Sequence, residues 1–120
     1  MRDAAYRSRS GGRASRSKGV AGEREVRTLF EAAGFNVRAL EDSGDHLIVG
    51  RDGRALHVEV KRHERPQWGE WVKQALRDVP DGVPWLIASR KSRAPWYVMQ
   101  PLAQVIEREA RIAELEAMLS

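Results

Sequence analysis

Apolar residues recur along the chain at helical and strand periods, and the switches between the two mark out its elements. Val26, Leu29, Phe30 and Ala33 fall at helical spacing and Gly34 supplies a left-handed stop, which predicts a first helix from Lys18 to Ala33. Asn36 to Leu40 reads as a short strand. The polar loop Glu41-Asp42-Ser43-Gly44 then leads to Asp45, at the mouth of the apolar run Leu47-Ile48-Val49. Arg51-Asp52-Gly53-Arg54 is a hairpin turn, because Asp-Gly between apolar runs suits the positive φ such turns require. The strand that follows, Ala55 to Lys61, alternates: Leu56, Val58 and Val60 face a core, while His57, Glu59 and Lys61 face chemistry or solvent. Trp68, Trp71, Val72, Ala75, Leu76 and Val79 recur as one helical stripe, ended by Pro80-Asp81-Gly82. Trp85 to Ser89 and Trp96 to Gln100 are two further strands around the basic turn Arg90-Lys91-Ser92-Arg93, and Pro101 opens a last helix running to about Leu119.

The predicted order is therefore α-β-β-β-α-β-β-α, an α/β fold on a mixed sheet. The first three strands form an antiparallel meander, and the second helix is a crossover that returns the fourth strand parallel to the third. Leu102, Val105, Ile112 and Leu119 make only a thin apolar seam on the last helix, interrupted by Glu109 and Glu116. Residues 102–120 are thus expected to cover an edge of the sheet or to dock a partner subunit.

Composition changes this picture mainly at the N-terminus. The 120 residues carry a net charge of +4, but six basic residues and one acid lie in the first 18. Residues 1–17 are rich in Arg, Ser and Gly with no hydrophobic period, so they are expected to form a disordered basic arm suited to phosphates. The length allows one domain, residues 18–101, beyond that arm and the last helix. There are no cysteines, which excludes disulfides, a thiol nucleophile and Cys-ligated zinc, and no apolar stretch suits a signal peptide or a membrane span. A cytoplasmic protein with no membrane partner is expected.

The candidate chemistry lies on the hairpin. Glu59 and Lys61 stand two apart on one strand, so an acid and a base share a face. Zipping the hairpin brings Asp45 beside Glu59, and two acids converging at a sheet edge suit a hard divalent cation. Glu23 falls at the edge of the first helix's apolar stripe, where it either looks into the groove beside the sheet or pairs with Arg27. His46, His57 and His63 read as hydrogen-bonded side chains rather than metal ligands. The four tryptophans read as core or interface anchors.

Taken in order, Lys18-Gly19-Val20-Ala21-Gly22-Glu23-Arg24, Ser43-Gly44-Asp45 and Glu59-Val60-Lys61 resemble the PD-(D/E)XK nuclease superfamily, most closely its archaeal-type Holliday-junction resolvases and related phage enzymes. The resemblance covers about residues 18 to 100, with Gly44-Asp45 in place of Pro-Asp and His46 where an apolar residue is more usual. It implies a restriction-endonuclease-like sheet and a Mg²⁺-dependent DNA endonuclease in which Mn²⁺ substitutes. Glu23, Asp45, Glu59 and Lys61 would be its catalytic set, with Gln74 auxiliary and Asp45, Glu59 and Glu23 holding metal. Arg13, Arg16, Lys18, Ser43, Arg62 and Arg65 are the expected DNA contacts, the substrate is expected to be branched DNA, and the enzyme a homodimer. The alternatives are a general phage or mobile-element duplex nuclease and a non-catalytic DNA-binding module.

Overall fold

The computed structural model describes residues 19–40 and 45–120. The expected basic arm, with Arg13 and Arg16, and the positions Lys18 and Ser43 lie outside them. Helix α1 covers residues 19–32 and ends where expected, at Gly34 with φ +94°. Strands β1 (Asn36–Ala39), β2 (His46–Val49) and β3 (Ala55–Lys61) follow. Then come α2 (Trp68–Asp78), β4 (Trp85–Ser89), β5 (Tyr97–Met99) and α3 (Leu102–Leu119). The β2–β3 turn contains Gly53 at φ +79°, and the Asp52 carboxylate accepts from the Arg54 N–H at 3.0 Å, so the Asp-Gly pair closes the hairpin as its chemistry requires.

The five strands form one mixed sheet in the order β1-β2-β3-β4-β5, with β1, β2 and β3 antiparallel in turn and β4 parallel to β3 across the α2 crossover. β5 returns antiparallel to β4. Strand alternation then assigns the two faces. On one, Val26 of α1 packs with Val37, Ile48, Leu56, Val58, Leu86 and Ala88, with Phe30, Val60 and Trp96 at the margin. Ile48 is 1 % exposed. Ile48→Val removes one methylene from this layer and is expected to cost about 0.5–1.5 kcal/mol in urea unfolding. No change in the midpoint would contradict the packing described.

The opposite face is also closed. Ile87 pairs with Glu59 and therefore shares its face, where Trp71 and Ala75 of α2 are buried together with Val79 just beyond it. The apolar stripes are narrower than their periodicity suggests. Leu29 and Leu76 are 55 % and 68 % exposed, because the short sheet lies under only the Val26–Phe30 line of α1 and the Trp71–Ala75 line of α2. α3 departs further, since none of its side chains is buried and Leu102 and Leu119 are both exposed. Gln104 ties its first turn to the sheet by bracketing both the N–H and the carbonyl of Trp85 at 2.9 Å.

Candidate metal and phosphate site

The β2–β3 register pairs His46 with Val58 and Leu47 with His57. One step further, the same register sets Asp45 opposite Glu59 and on its face of the sheet. Asp45, His57 and Glu59 are all buried, and each offers a ligand atom within 4.8 Å of the other two. The Nε2 of His57 donates to Oδ2 of Asp45 at 3.1 Å. Glu59 is 0 % exposed, and neither of its carboxylate oxygens has a hydrogen-bond partner among the described residues.

A buried carboxylate without donors is costly, so its proton affinity rises. Burial pushes the Glu59 pKa above its ordinary 4.5 and the neighbouring Asp45 charge pushes it further; Lys61 and His57 pull it down, and Asp78 adds a smaller upward push. Two buried carboxylate oxygens lacking donors among the described residues, with a second carboxylate and an imidazole alongside, make a donor set that a divalent cation fits.

Lys61 projects from the same face as Glu59. Its Nζ donates to Oε1 of Gln74 at 2.8 Å, so α2 fixes the ammonium beside the acids. Gln74, expected as an auxiliary residue, is therefore in contact with the strand lysine.

Glu23 lies on α1, which packs on the other face of the sheet, and it is not part of the Asp45–His57–Glu59 group. His46, alternating with Asp45, points toward α1 and donates from Nε2 to the Glu23 carbonyl at 2.8 Å, which pins that turn of the helix to β2. The Glu23 carboxyl nevertheless feels the site. Burial raises its pKa, His46 lowers it and Asp45 raises it. The pairing with Arg27 does not form, because Arg27 engages Glu31 at 3.3 Å instead.

His57 is the residue that sequence reasoning set aside. It does make the hydrogen bond expected of a strand histidine, but the acceptor is Asp45, inside the acidic group. The signal was its position two before Glu59 on an alternating strand, which shares the face but says nothing of the partner strand's register.

Because β3 and β4 are parallel, their C-terminal ends lie side by side, and the basic segments leaving them run together next to Lys61. Glu64 joins the two segments by accepting from the Ser92 N–H at 3.1 Å and from the Ser92 hydroxyl. Arg65, Lys91 and Arg93 are exposed there. Arg62 is only 14 % exposed, and its Nη1 donates to the Arg90 carbonyl at 3.2 Å, so it braces the junction of the segments. Arg90 in turn pairs with Glu25 of α1, which also accepts from Trp96 Nε1 at 3.2 Å. α1 approaches this corner closely at Gly22, where a Cβ would stand 3.2 Å from Cβ of Arg62.

No family model matches this chain, and no curated protein matches it in sequence. The case for its chemistry therefore rests on the site itself. Among the described residues, no helix is long and apolar enough to cross a membrane.

Proposed function

We propose that the chain is a metal-dependent DNA endonuclease of the PD-(D/E)XK superfamily with a restriction-endonuclease-like fold, acting on branched DNA and resolving four-way junctions in the cytoplasm. The observation that carries this reading is the meeting of Asp45 with the Glu59 carboxylate, which has no donor among the described residues, two residues before a lysine held by Gln74. Asp45 and Glu59 would hold the divalent cation, Mg²⁺ or Mn²⁺, with Glu23 acting on them from α1. When bound, such an ion neutralises a phosphate and makes a water acidic enough to attack.

The remaining work falls to the chain. Phosphodiester hydrolysis forms a bond from a water oxygen to phosphorus, breaks a bridging P–O bond and leaves a hydroxyl on the departing sugar. Lys61 has three N–H groups, of which one goes to Gln74. The others are suited to orient the water or to meet charge growing on the phosphate oxygens. Arg65, Lys91 and Arg93, exposed beside Lys61, suit the flanking phosphates.

Junction resolution needs two cuts related by a twofold axis, so the reading includes a homodimer. The uncovered face of α3 supports it, since Ile106, Leu115 and Met118 are exposed there in addition to Leu102 and Leu119. Sedimentation at micromolar concentration is expected to give a dimer, and a monomer would count against junction resolution while leaving cleavage open.

The test is cleavage of a four-way junction, a flap and a matched linear duplex, each with Mg²⁺, Mn²⁺ or EDTA. Metal-dependent cutting that favours the junction is expected. Equal cutting of the linear duplex makes the protein a general nuclease, and binding without cutting in either metal overturns the enzyme.

A further inference from the structure

The proposed centre differs from an all-oxygen site in one respect, its imidazole. His57 reaches it from the middle of β3, on the face it shares with Glu59, and is 7 % exposed. Its Nε2 stands 3.1 Å from Oδ2 of Asp45, a distance that serves as a hydrogen bond when the nitrogen carries a proton. The same distance fits two neighbouring ligands on one ion, because donors about 2.1 Å from an octahedral cation and at right angles lie about 3 Å apart. Glu59 supplies the independent sign of a ligand, having both carboxylate oxygens buried and without a partner among the described residues beside this pair.

Two properties of this arrangement bear on which cation it takes. Mg²⁺ prefers oxygen donors and gives up its waters reluctantly, whereas imidazole suits first-row transition ions, whose affinity for mixed nitrogen and oxygen sites exceeds that of Mg²⁺. All three donors are also buried, which leaves less room for the several waters Mg²⁺ tends to keep. We infer that His57 is a metal ligand and that it makes the centre selective for a divalent first-row transition ion, of the Mn²⁺ class, over Mg²⁺. This rests on the reading of Asp45 and Glu59 as metal-holding carboxylates. It adds the third donor and the class of ion.

The experiment uses the full, untagged chain and the metals alone, without DNA. Pulsed electron paramagnetic resonance of bound Mn²⁺ is expected to show coupling to a histidine ¹⁴N in the wild-type protein, and His57→Gln is expected to lose it. Calorimetry with MnCl₂ and MgCl₂ is expected to show the stronger preference for Mn²⁺ in the wild type. In His57→Gln the Mn²⁺ affinity should fall about 10–100-fold, the range seen when groups around a metal are removed, with a smaller change for Mg²⁺. His57→Asn gives a second variant, and circular dichroism identifies whichever of the two folds.

Mn²⁺ bound without histidine nitrogen coupling in the wild type, which needs no variant, overturns the inference. It would make His57 a hydrogen-bond partner of Asp45 and leave the carboxylate site intact. A ratio of Mn²⁺ to Mg²⁺ affinity that stays unchanged in a folded variant likewise removes His57 as the source of selectivity. If neither ion binds the wild type, the inference falls together with the proposed function.

Discussion

Glu59→Gln is expected to cut cleavage by orders of magnitude while making the metal-free protein more stable. The substitution keeps the shape of the side chain and removes its charge, so a centre that needs an anionic oxygen should lose about 100–1,000-fold in rate, or about 2.7–4 kcal/mol of barrier, with DNA binding retained. The gain in stability follows from burial. In the folded protein the Glu59 carboxyl has a pKa above its ordinary 4.5, so the native state holds this proton more tightly than the unfolded chain does. The contribution of this group to stability is then fullest below 4.5 and is lost as pH rises through the folded-state pKa. In EDTA, the variant's advantage over wild type should be small near pH 4, grow as pH rises and level off once the wild-type carboxyl is ionised. A gain of about 1 kcal/mol, at the low end for relieving a buried group without partners, would raise the melting midpoint by about 4 °C.

Saturating Mn²⁺ should reverse the order. A ligand at 100 times its Kd adds about 2.7 kcal/mol to the protein that binds it, and the variant should lose that benefit. Melts from pH 4 to 8, with EDTA and with Mn²⁺, test both halves. A difference in stability that stays flat with pH would show that Glu59 is not a strained carboxylate, and undiminished cutting by the purified variant would refute its assignment to the site.

Lys61→Ala is expected to lose a comparable share of activity for a different reason. On the proposed reading its ammonium would meet charge on the phosphate, and the loss of one such preorganised donor costs about 100–1,000-fold. It is also a positive charge that pulls the Glu59 pKa down. Without it the carboxyl holds its proton to higher pH, so the acid limb of the residual pH–rate profile should move upward. Gln74→Ala, which leaves the ammonium in place and removes its brace, should cost less and leave the limb nearly where it was. A lysine serving only as a strand surface charge would leave both rate and profile unchanged.

The two variants separate what each part of the hairpin does. Glu59 is buried and, on the proposed reading, would hold the metal, whereas Lys61, held at the sheet end by Gln74, would act on the substrate side. Arg62 follows Lys61 directly, and its guanidinium donates to the Arg90 carbonyl and braces the two basic segments. Arg65, three residues on, is exposed.

Much of the fold was legible because its signals are local. The alternation of Ala55–Lys61, the Asp-Gly turn and the glycine that stops α1 each depend on residues within one or two turns of chain, and each element appears within a residue or two of its expected span. The proximity of Asp45 to Glu59 was readable for the same reason, since a tight hairpin fixes its own register. The rest depended on surfaces that meet across the sequence. Whether Leu29 and Leu76 lie under cover is set by the width of the sheet beneath their helices, and α3 stays open because its seam is too thin to hold it against the domain. Glu23 comes beside the hairpin only because His46, one residue from Asp45, points to α1 and holds the turn that carries it. His57 joins the acids only through the pairing of β2 with β3, and Glu59 is cut off from water only once the sheet is packed. A local pattern states which side of a strand a residue occupies; what stands opposite, and whether water can reach it, is decided when distant segments pack.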